Sequence, residues 1–135
     1  MQYETVLTTC AYCGTGCGLY LEVMDGELVG VIPCKTHPIS KGSLCIKGWR
    51  LHEFVTSDRR LKTPMIRKDG ELKEATWDEA LDLVTQKLGA IKSESGPDSI
   101  AILTSAKATN EENYLLQKFA RAVIGTNNVD HCARL

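Results

Sequence analysis

Two short apolar runs, Leu19-Tyr20-Leu21-Glu22-Val23 and Leu28-Val29-Gly30-Val31-Ile32, flank the polar tetrapeptide Met24-Asp25-Gly26-Glu27. An Asp-Gly pair in that setting predicts a tight β-hairpin, because the turn needs positive φ, which Gly adopts without penalty. A second Asp-Gly pair, Asp69-Gly70, sits between Met65-Ile66-Arg67 and Leu72-Lys73-Glu74 and predicts a second hairpin. The shared Asp-Gly-Glu-Leu is repeated turn chemistry rather than a repeated domain.

After residue 75 the period changes. Thr76-Trp77-Asp78-Glu79 fits a capping box, in which a hydroxyl and a carboxylate satisfy the orphan N–H groups of a helix start. Leu81, Val84, Leu88 and Ile91 follow at helical spacing and predict one apolar face. Ser95-Gly96-Pro97 ends that helix, since Gly accepts the cap conformation and Pro cannot continue. Ile100-Ala101-Ile102-Leu103 reads as a short buried strand. Asn110 is expected to cap a second helix, with Leu115, Phe119 and Val123 as its buried stripe and Gly125 closing it. Helix, strand, helix, then Asn128-Val129-Asp130 predict the opening of an α/β domain.

Composition divides the chain earlier, near residue 60. Residues 1–60 hold five of the six cysteines and seven of the eleven glycines. The expected architecture is therefore α+β or α/β, with a small β-rich domain over 1–60 and an incomplete α/β domain over 61–135. A chain of 135 residues that is 43% apolar can build a hydrophobic core. Its net charge of −1 and scattered basic residues give no footprint for nucleic acid or an anionic membrane. No apolar run approaches the ~18 residues a membrane span needs, and the N-terminus lacks the basic and apolar regions of a signal peptide. Unevenly spaced cysteines point to a reducing, cytoplasmic setting, where thiols close in sequence bind metal more often than they form disulfides.

Those thiols carry the chemistry. Cys10-x2-Cys13-x3-Cys17 places three of them within eight residues, interleaved with Gly14, Gly16 and Gly18. A cubane iron–sulfur cluster needs a tight loop that brings three cysteines to three iron corners and turns backbone N–H groups towards the sulfides. The fourth corner needs a thiolate from further along, and spacing leaves Cys34 and Cys45 in competition. Cys45 lies in the glycine-bracketed Gly42-Ser43-Leu44-Cys45-Ile46-Lys47-Gly48, and Cys34 in Pro33-Cys34-Lys35-Thr36-His37 after the first hairpin. A structural zinc site is the alternative, with His37 as a conceivable ligand, but such sites pair two Cys-x2-Cys knuckles more often than one. A lone His after a hairpin is more often plain surface.

The motifs together resemble the N-terminal part of the catalytic subunit of molybdenum- or tungsten-dependent formate dehydrogenases, in the molybdopterin oxidoreductase superfamily. The resemblance covers essentially the whole chain. It rests on Cys10-x2-Cys13-Gly14-x2-Cys17-Gly18, Leu44-Cys45-Ile46-Lys47-Gly48, Ala75-Thr76-Trp77-Asp78-Glu79-Ala80 and Gly96-Pro97-Asp98. It continues in Thr109-Asn110-Glu111-Glu112-Asn113-Tyr114, in the run from Gln117 to Asp130, and in His131-Cys132-Ala133-Arg134. Related nitrate reductases share the four-cysteine frame and usually differ around Cys-Ala-Arg. Ala11 departs from the Pro of many relatives, a change expected to touch only loop stiffness.

The resemblance implies that Cys10, Cys13, Cys17 and Cys45 hold a [4Fe–4S] cluster and that Cys34 is an ordinary thiol. It implies that Lys47 lies between the cluster and the pterin of a bis-molybdopterin guanine dinucleotide cofactor carrying molybdenum or tungsten. Lys107 is a candidate for a cofactor phosphate, with surface solvation as the plain alternative. No catalytic residue is expected within the segment. The metal-ligating selenocysteine or cysteine would fall just after Leu135, and a chain read up to a UGA codon is the simplest expectation for that end. The implied partners are the remainder of the catalytic subunit, other iron–sulfur subunits, and formate or CO2 as substrate. A stand-alone electron-transfer module and a zinc-stabilised interaction domain are the competing readings.

Overall fold

A computed structural model describes residues 1–132; Ala133, Arg134 and Leu135, which carry part of the Cys-Ala-Arg motif, and the expected metal ligand after them lie outside the described residues. Internal contacts divide the chain into two units. The first holds Met1–Arg60 together with Ser105–Tyr114 and the segment from His131; the second holds Leu61–Thr104 and Leu115–Asp130.

The first unit is built on a three-stranded antiparallel sheet in the order β1 (Tyr3–Thr9), β2 (Gly18–Met24), β3 (Glu27–Pro33). The β2–β3 hairpin turns at Asp25 and Gly26, whose φ values of 50° and 86° are the paired positive angles of a two-residue turn. A register shift between Glu22 and Val23 bends β2 near that turn. The β1–β2 pairing runs in unbroken register from Tyr3↔Met24 to Thr9↔Gly18. The cysteine-rich segment is therefore the connection between two paired strands. Leu19 is fully buried, and it packs with Cys10, Val31 and Leu51. Tyr12, Cys17, Leu21 and Leu44 close around these four. The core thus lies at the end of the sheet that carries the cysteines, where a floor for the loop is needed. Beyond β3 the chain makes one short helix, α1 (Ile46–Trp49).

The second unit opens with the hairpin β4 (Met65–Lys68) and β5 (Glu71–Glu74), turning at Asp69 and Gly70 with φ of 55° and 85°. Helix α2 (Trp77–Ser95) starts with the expected capping box. The Glu79 N–H donates to Thr76 Oγ1 at 3.2 Å, and the Thr76 N–H donates to Glu79 Oε2 at 2.8 Å. Thr76→Ala is expected to cost about 1 kcal/mol, read as a lower urea midpoint with an unchanged slope.

A turn at Gly96–Ser99 leads into β6 (Ile102–Ser105), which pairs with β7 (Val129–Cys132). The Gly-Pro-Asp motif has a clear task there. Buried Thr126 donates its hydroxyl to Asp98 Oδ1 at 2.7 Å, and Asn128 Nδ2 donates to the Asp98 carbonyl at 2.9 Å.

The apolar face expected of α2 is left uncovered, with Leu81, Val84 and Ile91 exposed. Three expectations need correction. Helix α3 (Asn110–Lys118) is not capped by Asn110. Thr109 does that, through Glu112 N–H to Thr109 Oγ1 at 3.2 Å and Thr109 N–H to Glu112 Oε2 at 2.6 Å. Its stripe also fails, with Leu115 60% and Val123 58% exposed. From Phe119 to Ile124 the helix widens into a π turn, where the Gly125 N–H reaches back five residues to the Ala120 carbonyl. That rotation buries Ala120 and Ile124 instead. In the apolar run before β6, Ile100 is buried but Leu103 is 78% exposed. No helix among the described residues is long and apolar enough to cross a membrane.

Candidate iron–sulfur site

The loop from Cys10 to Cys17 is closed at its base by the Cys10 N–H donating to the Cys17 carbonyl at 2.8 Å. Within it, Gly16 N–H donates to the Cys13 carbonyl at 3.3 Å, and Gly16 takes a φ of 58° that glycine accepts freely. At Gly18 the reason for glycine is a neighbour: a Cβ there would stand 2.5 Å from His37 Cδ2 and 2.9 Å from His37 Cβ. His37 is thus a half-buried packing residue. Its Nδ1 accepts the Ser40 N–H at 3.2 Å and lies 3.1 Å from the Ser40 hydroxyl. That corrects the plain-surface expectation and engages the ring nitrogen nearest the backbone.

Cys10 is buried beneath the loop, Cys13 and Cys17 are half-buried, and Cys45 is exposed at the N-cap of α1. The Thr15 hydroxyl, 3.4 Å from Cys13 Sγ, and the Thr15 N–H hold the Cys13 thiol below its ordinary value. The Gly48 and Lys47 N–H groups at the start of α1 do the same for Cys45. Burial pushes Cys17 up, and so does the nearness of Cys10, Cys13 and Cys45. One thiol therefore feels the other three. Cys13, Cys17 and Cys45 border one open space, and among the described residues no three His, Cys, Asp or Glu side chains form a ready site for a single ion. A tetrahedral zinc draws its sulfurs to ~2.3 Å from one centre, whereas a cubane spreads its ligands over separate iron corners. An open cavity of about 1000 Å³, lined by Cys13, Cys17, Cys45, Lys47 and Lys107 among others, faces this space. All-thiolate donors around a cavity of that size fit a [4Fe–4S] cluster.

Cys34 stands apart. It is buried, with Sγ 3.8 Å from the Tyr20 hydroxyl and 3.4 Å from Thr36 Oγ1, and the Thr36 hydroxyl chiefly lowers its pKa. Lys47, on α1, places Nζ 5.9 Å from the Tyr12 ring centroid and reaches the cavity wall. Lys107 lines the same cavity, and its N–H donates to Ser105 Oγ at 3.0 Å. Cys132 is exposed, 3.6 Å from Ser105 Oγ; the Ser105 hydroxyl and then the Ala106 N–H hold its thiol low. Sequence reasoning missed Thr15 and the inward use of Asn110. The Thr109-x-x-Glu112 spacing, a second capping box, was the signal that Asn110 is free for another task.

Residues 3–57 match the model of the molybdopterin oxidoreductase Fe4S4 domain, and residues 60–135 match that of molybdopterin oxidoreductase. The chain is 57% identical, over its full length, to F420-dependent formate dehydrogenase 1 subunit alpha of Methanococcus maripaludis, covering 19% of that protein. It is 47% identical over its full length to F420-dependent formate dehydrogenase subunit alpha of Methanocaldococcus jannaschii, again covering 19%. The acetylene hydratase structure from Pelobacter acetylenicus superposes with a TM-score of 0.74 at 26% identity, over 93% of this chain and 18% of that one. The chain thus spans about a fifth of the length of these relatives. It belongs to the molybdopterin oxidoreductase family, with the family's Fe4S4 domain at its start.

Proposed function

We propose that this chain is the cluster-bearing portion of a formate dehydrogenase, or CO2 reductase, catalytic subunit, and that its task is to conduct electrons. Cys10, Cys13, Cys17 and Cys45 are the cluster ligands in this reading. The observation that carries it is the gathering of Cys13, Cys17 and Cys45 on one cavity, with Lys47 and Lys107 on the same wall and Cys10 beside Cys17 at the base of the loop. The relatives named as formate dehydrogenase alpha subunits supply the substrate class. When bound, the cluster supplies one-electron steps, and a molybdopterin-held molybdenum or tungsten supplies the two-electron exchange with formate.

The chain's own residues do the rest. The Thr15, Lys47 and Gly48 donors favour thiolates at Cys13 and Cys45, the form an iron corner requires. Lys47 brings a positive charge to the cavity wall, where it favours an electron in transit and can donate hydrogen bonds to a pterin. Lys107 offers a second cation suited to a phosphate of the same cofactor. The setting we assign is the cytoplasm, with further iron–sulfur subunits as electron partners.

The test is formate oxidation by the full-length subunit in its complex, followed with an artificial and with the native acceptor. Lys47→Met keeps length and removes charge and donors. It is expected to slow native-acceptor turnover about tenfold, the equivalent of roughly 1.4 kcal/mol on the barrier, with iron content unchanged. Rates unchanged from wild type with both acceptors would return Lys47 to a surface role, and a wild-type complex inert towards formate would end the reading.

A further inference from the structure

We propose that Asn110 is a positioning residue for the cluster loop, strapping it through the Gly14 carbonyl and so setting how firmly the cluster is held. The inference rests on the cluster reading above. Asn110 Nδ2 donates to the Gly14 carbonyl at 3.1 Å, a bond between residues 96 positions apart. Gly14 directly follows Cys13, so the strap acts on the peptide next to one of the four convergent thiols. The carboxamide also lies close against the loop. A Cβ at Gly14 would stand 3.1 Å from Asn110 Cγ and closer still to its Oδ1, so no side chain at 14 coexists with this asparagine in place. Loop glycine and helix asparagine are thus a matched pair.

The anchor of the strap is rigid. Asn110 is the first residue of α3, and the reciprocal Thr109–Glu112 bonds fix that helix start without using the Asn110 side chain. A side chain at a helix start ordinarily caps its own backbone; here that work is done by its neighbour, and Asn110 points across to the loop. A small recess of about 90 Å³, lined by Cys10, Cys13, Gly14, Thr109 and Asn110 among others, remains between the two walls. Removing the amide donor leaves the Gly14 carbonyl unpartnered by side chains and frees the loop to sample conformations in which Cys13 is displaced. Replacing the donor by a carboxylate adds repulsion at the carbonyl and negative charge beside the cluster, which disfavours the reduced form.

The experiment uses the full-length subunit in its complex, with iron and sulfide content, chelator-driven cluster loss and the cluster midpoint potential as readouts. Asn110→Ala and Asn110→Asp are expected to load iron but lose it about fivefold faster, the rate equivalent of one lost hydrogen bond. Asn110→Asp alone should also lower the midpoint potential, which a merely structural defect would not do. Gly14→Ala should be more damaging in the native background than in Asn110→Ala, where the methyl group has room. Loaded variants with native loss rates and potentials, or strictly additive effects at 14 and 110, overturn the inference while leaving the cluster assignment standing. A wild-type complex without cluster iron overturns the assignment itself and this inference with it.

Discussion

Cys45→Ser is expected to take the protein from roughly four irons per chain to almost none, whereas Cys34→Ser leaves iron and sulfide unchanged. The asymmetry follows from surroundings, since both thiols follow the first hairpin and both are held below their ordinary pKa. Cys45 sits at the head of α1 with the Gly48 and Lys47 N–H groups aimed at its sulfur, and its charge is felt by both Cys13 and Cys17. A serine there offers a hydroxyl whose deprotonation is far harder, so one corner of the cluster loses its ligand. Cys34 spends its hydrogen bonds on Tyr20 and Thr36, inside the hairpin's packing. Serine is tolerable in that polar niche. Iron and acid-labile sulfide per chain, measured after anaerobic purification, decide it. A damaging Cys34→Ser beside a harmless Cys45→Ser would sink the ligand assignment.

The second large effect is structural. Gly18→Ala is expected to destabilise the first unit by about 1–3 kcal/mol, the range for forcing a methyl into occupied space. The obstacle is the ring and Cβ of His37, and the ring cannot simply swing aside. Ser40 holds its Nδ1 from the backbone N–H, and the Cys34 N–H donates to the Gly18 carbonyl at 3.0 Å from the same loop. Gly18 is also the last residue in register with β1, adjacent to Cys17, so any backbone shift there moves a thiol. The urea midpoint should fall, and cluster retention with it. His37→Ala in the Gly18→Ala background should restore part of both. An unchanged midpoint in the single variant would show that the ring gives way at little cost.

What could be read in the chain depended on whether the signal was local. Asp25-Gly26 and Asp69-Gly70 announced their hairpins because the required positive φ values belong to the turn residues themselves. Thr76 and Glu79 announced the start of α2 for the same reason, since both partners of the capping box lie within one turn. Strand β1 went unread because Tyr3–Thr9 lacks strict alternation and is followed by the cysteine loop rather than by an Asp-Gly turn. Helical spacing at Leu81, Val84 and Ile91 told which face is apolar but not what covers it. The π turn at Phe119–Ile124 broke a periodicity that sequence reasoning assumed to be constant. At the site, spacing found the three-cysteine loop and left Cys34 against Cys45 open. Only the fold shows which of the two faces the other thiols. Asn110 was legible as polar and misread in purpose, because its partner lies far away in sequence.

Because the cysteine loop is the connection of the β1–β2 hairpin, its closure is a by-product of strand zipping. Hairpins form in about 1–10 μs, and loops of some ten residues close within roughly 10–100 ns. The thiols of Cys10, Cys13 and Cys17 are therefore gathered by a fast, local event that needs no metal. Cys45 comes in through a longer closure, after β3 and the turns that follow it have formed, and the entropy cost of that closure grows only with the logarithm of loop length. A nascent chain thus presents a three-thiol rim first and a fourth thiol later. On the proposed ligand set, that order would let an incoming cluster dock on one side before the remaining corner is sealed.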